Sequence, residues 1–191
     1  MDTTTTTSTP SAIPSQAARW TIDAAHTSVS FSVRHMMISN VRGEFAGVAG
    51  EVTYDPRRPE ASKVSVTIDV ASIHTRDEKR DAHLRSADFF DVEKHPTMTF
   101  VAKSVRPRGD GLELVGDLTI RDTTREVTLA VSEISGENTD PWGNRRLGAT
   151  ATTKIRRSDY GMNFNAILET GGVLVGDEIA ISLDVQLIKQ A

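Results

Sequence analysis

The sequence predicts an all-β fold, an antiparallel barrel of about eight strands, from two observations. Five segments alternate apolar and polar residues with a period of two, which is typical of strands with one buried and one solvated face. Turn-forming residues separate the segments, and no regular alternation of strands and helices indicates a parallel sheet. The five segments lie at residues 29–35, 64–70, 112–120, 127–131 and 179–187.

Proline, glycine and aspartate mark the turns between these strands. Residues 55–59 hold two prolines, and residues 109–111 read Gly-Asp-Gly, which predicts a tight hairpin. Three glycines fall inside a strand-like stretch at 41–54, where they predict bulges or sharp bends. About eight strands in one chain fit a sandwich or a closed barrel, and long bent strands favour the barrel.

Two segments depart from the strand pattern. Residues 76–87 are highly charged and hold few residues that favour strands, so they predict a short helix. A second helical turn is expected at 158–162. The fold class is therefore all-β with one or two short helices.

The N-terminal segment, residues 1–18, is rich in Thr, Ser, Pro and Ala, and we expect a disordered tail ahead of a barrel domain at 19–191. The tail lacks a basic start followed by an apolar run, so it does not resemble a secretory signal. No stretch is long and apolar enough to span a bilayer, which predicts no stable membrane insertion. A cytoplasmic location is the resulting expectation.

Composition excludes several classes of site. The 191 residues carry 22 Lys and Arg against 26 Asp and Glu, a formal net charge of −4, which argues against a nucleic-acid partner. The absence of cysteine excludes disulfide scaffolds, thiolate nucleophiles and cysteine-ligated metals. The five histidines show no metal-binding spacing, so we expect no metal and no cofactor. No nucleophile, phosphate-loop or dinucleotide motif is present, and the sequence therefore favours a protein that is not an enzyme.

Specific sequence words resemble those of the YceI-like, polyisoprenoid-binding family, and they occur in the family's order over nearly the whole chain from residue 19. They are WTID at 20–23, HTSVSFSVRH at 26–35, VRGEF at 41–45, ASIHT at 71–75, RDAHLRSADFFD at 80–91, HPTMTF at 95–100, GDLTI at 116–120 and RSDYGM at 157–162.

The resemblance implies a lipocalin-like barrel with an apolar tunnel that holds one long isoprenoid chain, such as a polyprenyl phosphate or an isoprenoid quinone. It implies a carrier or storage protein and a possible homodimer. Burial of each methylene contributes about 0.8 kcal/mol, so a long tail has ample driving force to bind without charged contacts.

The candidate ligand-binding residues are apolar side chains expected to face inward on the matching strands, with Phe89 and Phe90 closing one end. His35 falls on the apolar side of its strand, where it is a candidate hydrogen-bond donor to a ligand head group. The remaining candidates are Phe31, Val33, Phe45, Val66, Ile68, Phe100, Leu118, Ile120, Met162 and Phe164.

Two alternatives stay open on the sequence alone. One is an enzyme acting on a bound hydrophobic molecule, with His35 or the group Arg80, Asp81 and His83 as acid or base, although a structural network of those three is favoured. The other is a structural, stress-related dimer whose barrel is filled by side chains. Arg156 and Arg157 raise a similar question, because two arginines near a tunnel mouth suit a phosphate.

Overall fold

The structure is a computed structural model that describes residues 17–167 and 173–191. The helix α1 spans Glu78–Arg85. The strands are β1 (Ala18–Ile22), β2 (Ser28–His35), β3 (Ser39–Phe45), β4 (Val48–Tyr54), β5 (Lys63–Asp69), β6 (Ile73–His74), β7 (Thr97–Arg108), β8 (Gly111–Ile120), β9 (Thr123–Ser132), β10 (Asn138–Thr139), β11 (Arg145–Arg156) and β12 (Val175–Lys189).

Antiparallel pairing closes eight of these strands into a barrel. The ring runs from β11 through β9, β8, β7, β5, β4 and β1 to β12, and β12 pairs again with β11. Beyond the end of β1, β2 pairs with the same edge of β12. β3 pairs with β2, and β6 pairs with β3. Closure leaves no free edge in this ring, and it confirms the predicted antiparallel barrel of eight strands.

The predicted strand at 41–54 is interrupted and forms β3 and β4. The backbone N–H of Gly47 donates to Ser72 Oγ at 2.8 Å instead of joining the ladder. A Cβ on Gly47 would lie 2.7 Å from the Cβ of Asp69, so the chain bends where only glycine fits.

The helix lies within the predicted segment 76–87. Asp77 caps its first turn by accepting the N–H of Arg80 at 3.0 Å. The second helical turn is a 3-10 turn over Arg157–Tyr160, and Gly161 ends it with a left-handed φ of 73°. Both helical elements are therefore confirmed, with slightly different bounds.

The predicted tail at 1–18 lies outside the described residues except for its last two positions. Ala18 is already the first residue of β1, one position earlier than the sequence indicated. β1 pairs with β4 on one side and with β12 on the other, so it is an integral strand of the ring.

Candidate functional site

The inside of the barrel holds an apolar cavity of about 280 Å³. Its wall is almost entirely carbon, because the inward position of each paired strand carries an aliphatic or aromatic side chain. Along β12 alone the wall extends from Val175 to Leu187, a path of about 40 Å at roughly 3.3 Å per residue. The apolar wall thus follows β12 over most of its length, which suits a hydrocarbon ligand.

Eleven of the thirteen predicted site residues lie on this wall. The strands bring together side chains that are far apart in the chain, since β2, β3, β5, β7 and β8 all contribute. The eleven are Phe31, Val33, Phe45, Val66, Ile68, Phe89, Phe90, Phe100, Leu118, Ile120 and Met162.

The other two predicted residues, His35 and Phe164, do not line this cavity. His35 is the last residue of β2 and lies opposite Val175 and Ser39, beside the turn into β3. The ring of Phe164 instead packs against Phe89, with ring centroids 5.3 Å apart. Its cross-strand partner Val175 does line the cavity, so His35 lies at the margin of the wall.

Aromatic side chains line the cavity near α1. Phe31 and Phe45 have ring centroids 5.7 Å apart, and Phe90 meets Phe45 edge to face at 5.8 Å. Leu84, on α1, reaches the same wall. The segment after the helix therefore contributes Phe89 and Phe90 to the cavity wall.

Most of the remaining wall comes from strands that contributed no residue to the predicted site. Their period-two alternation, visible in the sequence for β9 and β12, was the signal that could have found them. Two small residues of β11, Ala149 and Ala151, also face the cavity and leave it open space. The further aliphatic residues of these three strands are Val127, Leu129, Val131, Leu147, Ile155, Ile179, Ile181, Leu183, Val185 and Leu187.

Arg157 is a buried cation on the cavity wall, with only 5% of its surface exposed. Its guanidinium donates to the carbonyls of Met162, Phe164, Val175 and Gly176 at 2.6–3.2 Å. Desolvation lowers the pKa of Arg157, while the nearby charge of Asp177 opposes that shift.

These carbonyl bonds occupy most of the five N–H donors of Arg157. The side chain therefore fastens the segment after the 3-10 turn to the start of β12. Arg156, its neighbour, is exposed and does not line the cavity. The arrangement makes Arg157 a structural anchor and gives no phosphate site formed by the two arginines.

The charged residues of α1 also form a structural network. Asp81 is buried and accepts the N–H and the hydroxyl of Thr75 at 2.9 and 2.5 Å. Arg80 donates to the hydroxyl and the carbonyl of the same threonine at 2.8 and 2.7 Å. His83 pairs with Asp88 at 2.8 Å. Arg80, Asp81 and His83 thus tie α1 to its flanking segments, and none of them lines the cavity.

Two further findings bear on the chemistry of the site. The described chain contains no group of three or more His, Cys, Asp or Glu side chains that could hold a metal ion. Within residues 17–167 and 173–191, no helix has the length and hydrophobicity that crossing a membrane requires.

Comparison with known proteins agrees with this architecture. Protein YceI of Salmonella newport (strain SL254) is 38% identical over 170 residues, covering 88% of this chain and 86% of that protein. The crystal structure of Burkholderia cenocepacia BcnA superposes with a TM-score of 0.76 at 25% identity, covering 86% and 98% of the two chains.

A polyisoprenoid binding domain from Saccharophagus degradans has a TM-score of 0.64 at 13% identity, covering 90% and 98% of the two chains, and it shows the shared fold alone. The family model described as the YceI-like domain matches residues 20–187, which is nearly all of the described barrel. The chain therefore belongs to the YceI-like family.

Proposed function

We propose that this protein binds one long apolar lipid of the polyisoprenoid class inside its barrel and acts as a carrier or storage protein. The observation that carries the proposal is the apolar cavity that follows β12 from Val175 to Leu187. A barrel filled by side chains, the structural alternative raised from the sequence, would leave no such space.

The chemistry of the wall favours a hydrocarbon ligand. A polar group placed there would lose its hydrogen bonds to water and gain few in return, which costs several kcal/mol. Each buried methylene instead contributes about 0.8 kcal/mol, and ordering of the chain and association offset part of that gain. The ligand is thus expected to place its hydrocarbon tail in the cavity and its head group outside the apolar stretch.

Membership of the YceI-like family supports a binding role over an enzymatic one. The two catalytic candidates from the sequence, His35 and the group on α1, do not line the cavity. None of the acid or base candidates identified from the sequence lies on the cavity wall. We therefore propose binding without turnover.

The experiment is uptake of a fluorescent polyprenyl chain by the purified protein, followed by organic extraction and native mass spectrometry. We expect one chain bound per barrel, released intact into organic solvent. A protein that takes up neither polyprenyl phosphates nor isoprenoid quinones, and that yields no lipid on extraction, would contradict the proposal.

A pair of alanine variants tests whether the lipid lies inside. Ala149 faces the cavity, whereas Ala130 lies between two wall residues of β9 and faces the outside of the same sheet. Ala149→Trp should fill the space and reduce uptake at least about tenfold, while Ala130→Trp should bind as the unmodified protein does. Equal uptake by both variants would place the ligand elsewhere.

A further inference from the structure

Five large apolar side chains are exposed together at one end of the barrel. We call them the apolar tip: Met36, Met37, Ile38, Ile167 and Val173. Their exposure ranges from 38% for Val173 to 89% for Ile167. The described residues contain only two other exposed large apolar side chains, Val101 and Trp142, so the concentration at this end is distinct.

Backbone hydrogen bonds make the tip one continuous surface. The N–H of Met36 donates to the carbonyl of Leu174 at 2.8 Å, which joins the turn after β2 to the segment before β12. Leu174 in turn donates to the carbonyl of Ala166 at 3.0 Å, and Ile167 pairs with Val173 as an antiparallel bridge. Three adjacent chain segments therefore carry the five side chains.

The turn between β2 and β3 has residues unsuited to its conformation. Met36 and Met37 both have left-handed backbones, with φ of 50° and 60°, and Ile38 donates to the carbonyl of His35 at 3.0 Å. Positive φ at both central residues is what a type I′ turn requires, and Asn-Gly is the pair that adopts it most readily. Two methionines in it store strain that is compensated elsewhere, a feature found at functional sites. The turn therefore exposes two methionine side chains to solvent in a backbone conformation that lowers its stability.

The tip is continuous with the wall of the cavity. Val33 and Val175 both line the cavity, and they lie three and two residues from Met36 and Val173 along their segments. The guanidinium of Arg34 donates to the carbonyl of Met37 at 3.1 Å, which holds a cation beside the apolar side chains. Apolar side chains next to a cation are typical of surfaces that enter the boundary between lipid head groups and acyl chains.

The small number of side chains in the tip favours a lipid bilayer over a protein as its partner. A stable protein interface needs about 20–30 residues on each side. Among the described residues the tip has five exposed apolar side chains, far fewer than that, which disfavours a second copy of this chain. Insertion into a bilayer needs only a few apolar side chains, since each buried methylene contributes about 0.8 kcal/mol.

We propose that the apolar tip docks the barrel on the surface of a lipid bilayer, with this end of the cavity toward the membrane. The inference rests on the proposed function, because a carrier of a membrane lipid must collect and deliver its cargo there. Docking is peripheral and places the five side chains of the tip among the lipids.

The test is co-sedimentation of the protein with phosphatidylcholine–phosphatidylglycerol vesicles, comparing the unmodified chain with the double variant M36N/M37G. The variant should bind vesicles at least about tenfold more weakly. Its melting temperature should hold or rise, because Asn and Gly adopt the two left-handed backbone conformations with less strain than methionine. Equal vesicle binding by both proteins would overturn the proposal.

Two controls keep the result specific. Trp142→Asn removes an exposed apolar side chain beside Arg145, at the opposite end of β11 from the tip, and should leave vesicle binding unchanged. A second variant, Ile38→Ser with Ile167→Ser, should reproduce the loss without altering the two methionines. Light scattering should find no association through the tip, and a dimer that the M36N/M37G variant abolishes would overturn bilayer docking in favour of a second copy.

Failure of this inference is distinguishable from failure of the proposed function. Uptake of the fluorescent polyprenyl chain is measured without vesicles, and the M36N/M37G variant should retain it. Loss of vesicle binding in Ala149→Trp, a residue remote from the tip, would contradict the docking surface. Uptake without any vesicle binding would overturn docking alone.

Discussion

The ring of Phe31 lies directly across from Gly43 in the β2–β3 ladder, in the space that a side chain at position 43 would occupy. A Cβ on Gly43 would be 2.5 Å from the Cζ of Phe31 and 2.7 Å from the Cγ2 of Thr75. The glycine thus lets an aromatic ring of the cavity wall cross the neighbouring strand. This contact gives a physical reason for the glycine in the VRGEF segment at 41–45.

Gly43→Ala should destabilise the protein by about 1–3 kcal/mol, because the new methyl group must displace Phe31 or Thr75 in a packed region. The displaced ring should also narrow the cavity and weaken uptake of a polyprenyl chain. Urea unfolding and the fluorescence uptake assay measure the two effects. Gly136→Ala is the matched control, since no atom lies within 4 Å of a Cβ at that position. Similar losses in both variants would show that the contact with Phe31 is unimportant.

Arg146 joins two distant parts of the chain through charge. Its guanidinium contacts Asp23, after β1, at 2.5 Å and Asp140, in the loop before β11, at 2.7 Å. Arg146→Met keeps most of the side-chain length but leaves two little-exposed carboxylates without their shared cation, so we expect a melting temperature lower by several degrees. Lys154→Met removes an exposed ion pair with Glu178 and should cause no measurable change.

Acid should weaken the protein through the same network. Hydrogen bonds from Arg146 and then His26 lower the pKa of Asp23 below its ordinary value of 3.8. Because its folded-state pKa is depressed, Asp23 contributes stability above the unfolded-state pKa, and that contribution is lost as pH falls through the folded-state pKa. The melting temperature should therefore decrease once the pH is lowered below about 4. This decrease should be smaller in Arg146→Met than in the unmodified protein. An identical pH profile in that variant would exclude Asp23 as a contributor.

Arg157 is the charged residue on the described cavity wall, and its replacement should strongly destabilise the protein. Arg157→Met leaves the carbonyls of Met162, Phe164, Val175 and Gly176 without their donor, which should cost about 3 kcal/mol or more. Hydrogen exchange should accelerate in the segment around Met162 and at the start of β12. The neighbouring Arg156→Met removes an exposed charge and should change neither measurement. Unchanged exchange in Arg157→Met would contradict the anchoring role.

Individual strands show which parts of the fold could be predicted from sequence patterns. The alternation at 64–70 and 179–187 correctly indicated β5 and β12, because a strand with one buried face repeats its apolar residues every second position. Alternation alone did not show that the cavity wall stops short of His35, because the extent of a cavity along a strand depends on contacts with other segments. The glycines at 41–54 predicted a bend, but its position at Gly47 was not visible in the sequence, because it depends on Ser72 and Asp69 from later segments.

By itself the sequence determined the all-β class, the apolar character of the inward faces and the family to which the chain belongs. Local alternation and short sequence words are enough for these, since neither depends on distant contacts. The hollow interior, the closing contacts of Arg157 and the grouping of Met36 with Ile167 were decided only by the tertiary structure. Each requires segments far apart in the chain to meet, and a pattern along one strand contains no information about which strands close the ring or how much space they leave between them.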